Sequence, residues 1–342
     1  MRILKILSVL AVLLVLGTVA VAQDGQVLLN AAGATFPYPI YSKWFDQYHQ
    51  KHPNVQINYQ SIGSGGGIRQ LLDKTVDFGA SDGPMTDEQL KQASVPILHF
   101  PTVLGAALPS YNLPGVQAEL NFTPEALAGI FLGKVSKWND AAIASANSGV
   151  KLPNEDIVVI HRSDGSGTTY IWTDYLSKVS PEWRTKVGRA TSVNWPVGLG
   201  GKGNEGVAAL LQQTPYSIGY IELIYAIQNR IAYGKVRNAA GAFVKADLAS
   251  VSASAAAAAK AMPADFRVSI TNPTGNKDAY PISSFTWLLI PAKFADAAKR
   301  DVVKDLLKWV VTDGQQDCEA LAYARLPKEV VAMELKAIAK IQ

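Results

Sequence analysis

Short apolar runs alternate with amphipathic stretches along most of this 342-residue chain. Ile40, Trp44, Phe45 and Tyr48 recur at helical spacing, which predicts a helix over Pro39–His52 with one apolar face. Val55–Gln60 alternates as a strand, Gly67–Val76 reads as a helix, Asp77–Ser81 as a short strand and Asp87–Ala93 as a helix. The long apolar stretch Val95–Pro109 is expected to form two strand pieces around Pro101, because proline cannot donate to a sheet ladder. Thr123-Pro124-Glu125 starts a helix, with Thr as N-cap and Pro at the first position. The pattern then gives a strand at Ile157–Ile160, a helix at Thr168–Val179, a helix at Asn204–Thr214 and a strand at Ser217–Leu223. The Ala-rich tract Ser252–Met262 has high helix propensity and reads as an ordinary exposed helix. Tyr280–Pro291 is strand-like, and two helices close the chain, Ala295–Ala324 (broken near Asp313-Gly314) and Pro327–Ile341. This β-then-α rhythm predicts an α/β fold with helices on both faces of the sheet.

The first residues form a unit of their own. Arg2 and Lys5 precede the apolar run Ile6–Leu16, and small residues lead to Ala20-Val21-Ala22 before Gln23. That is the pattern of a secretory signal peptide, cleaved after Ala22. The apolar run is short for a membrane span, and no later segment approaches spanning length. No cysteine lies near the cleavage site to carry a lipid, which points to a free periplasmic protein. The mature chain, 23–342, is long enough for two domains. Losing Arg2 and Lys5 lowers its formal net charge from +4 to +2. Such a balance offers no broad basic surface, so nucleic acid is not an expected partner. Cys318 is the only cysteine and is expected to pack within the C-terminal helical region.

Three glycine-rich turns carry the candidate chemistry: Gly33-Ala34-Thr35-Phe36, Ser61-Ile62-Gly63-Ser64-Gly65-Gly66-Gly67 and Arg162-Ser163-Asp164-Gly165-Ser166-Gly167-Thr168. Each runs into a helical pattern and supplies hydroxyls and unpaired N–H groups at a helix start, which suits a small oxyanion. In the third turn Ser166, Gly167 and Thr168 offer N–H groups and two hydroxyls, Arg162 has the planar fork that pairs with tetrahedral oxyanions, and Asp164 is placed to hold it. The run Ser64-Gly65-Gly66-Gly67 lets the backbone approach a ligand closely. Taken singly, the Arg162 turn is equally served by N-capping and a surface ion pair, the Ser64 run reads better as a flexible turn with a Ser cap, and Gly33-Ala34-Thr35-Phe36 reads as a Thr cap with Phe36 packed. Asp82, just past the strand ending at Ser81, is out of place beside an anion unless that anion carries a proton, which an ionised Asp can accept. Phosphate near neutral pH carries one and sulfate does not. Sites built on one required hydrogen bond reject analogues lacking it by roughly 10⁴–10⁵-fold. On its own, Asp82 also reads as a turn residue before Gly83-Pro84.

Enzyme signatures mostly fail. The chain has no P-loop, no G-x-S-x-G elbow and no H-E-x-x-H, and its four His gather no acidic or Cys cluster for a metal. Gly198-x-Gly200-x-x-Gly203, with Glu222 about 20 residues on, matches a dinucleotide fingerprint. Trp195-Pro196-Val197 is a poor lead strand, so the segment is read as a loop near the cleft.

The ordered blocks GATFP, IGSGGG, DFGASD, RSDGSGT, SIGYIE and YPISS, spread over nearly the whole mature chain, resemble the periplasmic phosphate-binding proteins of high-affinity phosphate ABC transporters. The resemblance implies a two-lobed periplasmic-binding-protein-like fold, each lobe a mixed sheet flanked by helices, with the ligand cleft at a hinge crossed twice. Lobe I would be 23–108 plus 283–342 and lobe II 109–282. It implies a non-catalytic protein that closes around a dehydrated inorganic phosphate and delivers it to membrane permease subunits. Thr35 and Phe36 would donate to the anion, the latter through its N–H, and Ser64 through hydroxyl and N–H. Asp82 would accept the phosphate hydrogen, Arg162 would pair with the anion while held by Asp164, and Ser166, Gly167 and Thr168 would complete the cage. Gly65, where some relatives carry a second Ser, is expected to loosen its loop. No cofactor or metal is expected, and the chain is expected to act as a monomer. A receptor for sulfate or molybdate is disfavoured by Asp82, and a secreted phosphatase by the scattered His and the lack of a carboxylate–His grouping.

Overall fold

The computed structural model describes residues 25–342. The signal-peptide reading, with its cleavage after Ala22, lies outside these residues. Among the described residues no helix is long and apolar enough to cross a membrane.

The strands, in chain order, begin with β1 (Val27–Gly33), β2 (Val55–Ser61), β3 (Phe78–Ser81), β4 (Ile97–Asn112), β5 (Asn121–Phe122) and β6 (Val158–Arg162). They continue with β7 (Leu199–Gly201), β8 (Ser217–Glu222), β9 (Ala232–Tyr233), β10 (Lys235–Arg237), β11 (Phe243–Val244) and β12 (Ser283–Pro291). The main sheet runs β2-β1-β3-β12-β4-β8-β6-β7, with β9 also on β4, and a small sheet runs β11-β10-β5. β1 lies parallel to β2 and β3, and β6 parallel to β7 and β8, while β4 and β12 run against their neighbours.

One strand joins the two halves of this sheet. β4 pairs with β12 from Ile97 to Ala106 and with β8 from Ala107 to Asn112. The return passage falls at the same level, where Ala107 N–H donates to the Ile282 carbonyl and Ser283 pairs with Ala106. β4 is continuous, not broken at Pro101 as its sequence suggested. The register against β12 shifts opposite Thr286 and Trp287, leaving Thr102 as an extra residue next to the proline. A bulge there absorbs the missing N–H without ending the strand.

The apolar faces read from the sequence are buried. The first helix, Tyr38–Lys51, buries Ile40, Tyr41, Trp44, Phe45 and Tyr48. Trp44 Nε1 donates to the Gly314 carbonyl at 2.8 Å, tying this helix to the turns that follow Ala297–Val311. The break expected near Asp313-Gly314 is a pair of 3-10 turns, Asp313–Asp317 and Glu319–Leu321. Cys318 is buried between them, and burial pushes its thiol up to about 12. The Ala-rich helix, Leu248–Lys260, is not simply exposed, because Val251, Ser254 and Ala255 are buried. Ser254 Oγ donates to the Tyr280 carbonyl just before β12.

The helix expected at Gly67–Val76 runs instead from Ser64 to Leu72, so its glycines form its first turn. They serve packing against the rest of the chain. A Cβ on Gly67 would lie 2.4 Å from Ala32 O and from Gly33 Cα at the end of β1. Gly67→Ala is therefore expected to destabilise the fold by about 1–3 kcal/mol. Chemical denaturation should show a lower midpoint, and an unchanged midpoint would mean that the helix does not rest on β1.

Candidate functional site

The three glycine-rich turns and Asp82 all leave the carboxyl ends of parallel strands. Thr35 and Phe36 follow β1, Ser64 follows β2, Asp82 follows β3, and the Arg162 turn follows β6. Open α/β sheets bind ligands at such ends, where the strand order reverses. Here they meet. A Cβ on Gly167 would fall 2.4 Å from Asp82 Oδ2 and 2.5 Å from Ser64 Oγ, and Gly65 N–H donates to the Gly165 carbonyl at 2.8 Å. Gly65 thus fastens its loop to the third turn and does not loosen it, since a Cβ there would come 2.9 Å from Gly165 Cα. Thr35, Phe36, Ser64, Asp82, Arg162, Ser166 and Thr168 are all buried.

The hydroxyls share one property. Thr35 Oγ1 accepts from Asn204 N and Nδ2, Ser64 Oγ from Asp82 N, and Ser166 Oγ from Thr169 N. Thr168 Oγ1 accepts from Asn204 Nδ2 at 3.1 Å and from Arg162 Nη1 at 3.4 Å. A hydroxyl whose oxygen already accepts keeps its single hydrogen to donate. The N–H groups of Phe36, Ser64, Gly167 and Thr168 have no backbone or side-chain acceptor among the described residues. Gly167 and Thr168 open the helix Gly167–Val179, where such donors are orphaned and the dipole is positive. The Ser166 N–H, expected to join them, is already committed to the Thr191 carbonyl at 2.7 Å, so Ser166 offers its hydroxyl alone.

Arg162 and Asp164 form a two-pronged pair, Nε–Oδ1 at 2.8 Å and Nη2–Oδ2 at 2.6 Å, with the Arg162 side chain only 1% exposed. Burial pushes Asp164 up, but Arg162 and the Gly203 N–H outweigh it and hold the carboxyl below its ordinary value. Asp82 goes the other way. Burial raises it to about 7 against the opposing pull of Thr286, Arg162 and Ser64. Thr286 Oγ1 donates to Asp82 Oδ1 at 2.8 Å, and Oδ2 turns toward Gly167 and Ser64. Among the described residues no group of three or more His, Cys, Asp or Glu is gathered to hold a metal.

Sequence reasoning missed Asn204 and Tyr225. The segment read as a loop, Gly198–Gly203, contains β7, which pairs with β6 through Leu199–Gly201 and leads straight into the site. Asn204 is fully buried, and Tyr225 Oη donates to the Thr35 carbonyl. The only sequence signal was the glycine fingerprint, which marks a tight turn into a helix.

Residues 20–314 match the PBP superfamily domain. The phosphate-binding protein PstS of Xylella fastidiosa (strain Temecula1) is 47% identical over 310 residues, covering 90% of this chain and 84% of that protein. That of Haemophilus influenzae is 45% identical over 323 residues, covering 93% and 94%. Among solved structures, the phosphate-binding protein from Stenotrophomonas maltophilia superposes with a TM-score of 0.71 at 16% identity, covering 91% of this chain and 93% of that one. An ABC-type phosphate transport receptor from Vibrio cholerae gives 0.57 at 19% identity, covering 87% and 100%. These structural likenesses establish the two-lobed α/β architecture of binding proteins. The chain belongs to the PstS family within the PBP superfamily.

The raised Asp82 has a consequence for the empty fold. Between the ordinary carboxyl value of 3.8 and about 7, the unfolded chain releases this proton before the native one does. Native stability therefore falls as pH rises through that window, by a total on the order of 4 kcal/mol. Asp82→Asn should raise the thermal midpoint of ligand-free protein by about 5 °C at about pH 8 and progressively less toward about pH 4. A midpoint difference that does not vary with pH would mean that the Asp82 carboxyl is solvated.

Proposed function

We propose that the protein binds inorganic phosphate with high affinity in the periplasm and delivers it to the permease of a phosphate ABC transporter, without chemical turnover. Its mature form would begin after a signal peptide cleaved at Ala22. The two lobes would be 23–108 with 283–342, and 109–282, closing on a dehydrated anion as hinged binding proteins do. Membership of a family whose relatives are named phosphate-binding proteins supports this reading.

The carrying observation is a buried nest of donors with one fixed guanidinium and one carboxyl. In it, the N–H groups of Phe36, Ser64, Gly167 and Thr168 and the hydroxyls of Thr35, Ser64, Ser166 and Thr168 donate. Arg162 balances charge, and Asp164 only holds it. Asp82 shares one proton with the anion. Because Asp82 sits at about 7, that proton is available from either partner near neutrality. Fully ionised sulfate has none to give, so it meets a bare carboxylate whenever Asp82 is ionised.

Calorimetric titration should show strong phosphate binding and far weaker sulfate binding at about pH 8. The gap should narrow toward about pH 5, where protonated Asp82 can itself donate to sulfate. In Asp82→Asn the gap should be small and nearly independent of pH, and wild-type discrimination in that variant would remove Asp82 from its role. Arg162→Ala should weaken phosphate roughly 10²–10³-fold, the effect of taking one partner from a buried charge pair. Release of phosphate from a phosphomonoester by the purified protein would overturn the non-catalytic assignment.

A further inference from the structure

We infer that Asn204 is a positioning residue that fixes the polarity of two site hydroxyls and couples it to closure of the cleft. Its amide orientation is dictated from behind. The Glu222 N–H, which can only donate, lies 3.0 Å from Asn204 Oδ1, so the oxygen faces the backbone and the NH₂ faces the site. That NH₂, also only a donor, meets Thr35 Oγ1 at 2.8 Å and Thr168 Oγ1 at 3.1 Å. Both hydroxyls must therefore accept from Asn204, and each is left one hydrogen to spend on whatever lies in front of it.

The geometry makes this directional. Thr35 follows β1 and Asn204 opens the helix after β7, so the 2.8 Å bond crosses from one end of the main sheet to the other. It exists only while those two segments are together. Tyr225 Oη, donating to the Thr35 carbonyl, grips the same residue from the same side. In an open cleft Thr35 can turn its hydrogen to any acceptor, and closing restores one orientation. Ready-aimed donors need no reorientation as the anion enters, and avoiding that reorientation favours binding. Gly203, the preceding residue, donates its N–H to Asp164 at 3.0 Å, so the same turn also steadies the Arg162 pair.

The inference rests on the phosphate reading, and its test separates the two. Phosphate affinity and dissociation rate are measured for wild type, Asn204→Ala and Asn204→Asp, and for Asn204→Ala in a Thr35→Val/Thr168→Val background. Asn204→Asp keeps the shape and the acceptor for Glu222 but invites the hydroxyls to donate to it. It should lose roughly 100-fold in affinity, mainly through faster dissociation, and, as a buried carboxyl, lower the ligand-free thermal midpoint at about pH 8, so the Asn204→Ala costs in the two backgrounds carry the assignment. Asn204→Ala should cost roughly tenfold in the native background and nothing beyond about twofold once the hydroxyls are gone. Equal costs in both backgrounds, or wild-type binding by Asn204→Asp, would overturn the inference. If the double-valine background fails to fold, Thr35→Val alone serves, and there Asn204→Ala should cost clearly less than in the native background but more than about twofold, because Thr168 Oγ1 still accepts from Asn204. Failure of wild-type protein to bind phosphate would instead overturn the functional reading itself.

Discussion

A multiply charged anion taken out of water keeps its charge only where donors already point at it and opposite charge is fixed nearby. The proposed site meets that requirement. Every hydroxyl at the site accepts a hydrogen bond from the protein behind it, so its one hydrogen is left to donate. The guanidinium of Arg162 is locked by two short bonds to Asp164, and free N–H groups stand at the openings of two helices. Nothing in the cluster has to rearrange to become a donor. Asp82 lies among them with its own partner, Thr286, holding one carboxyl oxygen and leaving the other turned toward Gly167.

The sheet makes this convergence geometrically cheap. β1, β2 and β3 run one way and β6 and β7 the other, so the carboxyl ends of the two parallel groups point toward each other, and five of the site's segments emerge between them. A single strand, β4, runs through both halves and changes partner between Ala106 and Ala107. A second passage at Ile282–Ser283 lies beside it. Two adjacent extended segments thus link the two halves of the sheet, the arrangement that the proposed hinge closure would use. Bonds such as Asn204 to Thr35 and Gly65 to Gly165 tie turns after β1 and β2 to turns after β6 and β7.

The buried acids of this site destabilise the fold. Asp82 is buried and lifted to about 7, and Glu222 beside the β4 crossing is buried with Oε1 unbonded among the described residues. Burial raises Glu222 well above the ordinary carboxyl range, and the charge of Asp82 adds to the effect. Two acids are thus kept from solvent, Asp82 after β3 and Glu222 where the partner of β4 changes. Binding sites commonly carry such strain, offset by packing elsewhere, here by the aromatic face of Tyr38–Lys51 and the closing helices.

Periodicity and turn chemistry in the sequence determined the α/β class, the positions of most helices and strands, and the three donor turns. These are local properties, legible wherever apolar spacing or an N-cap is strong, as at Thr123 or along Ile40–Tyr48. The motif order also pointed to the family. Only the tertiary structure decided that Pro101 sits within one continuous strand, because β12 absorbs the defect through a shifted register. It alone revealed that Gly65 and Gly67 serve backbone contacts within the protein, and that Ser166 spends its N–H on Thr191. Asn204 had only the glycine fingerprint before it, and Tyr225 had no local signature. Their roles depend on which atoms meet across more than 160 positions of chain, and no spacing along a sequence encodes that.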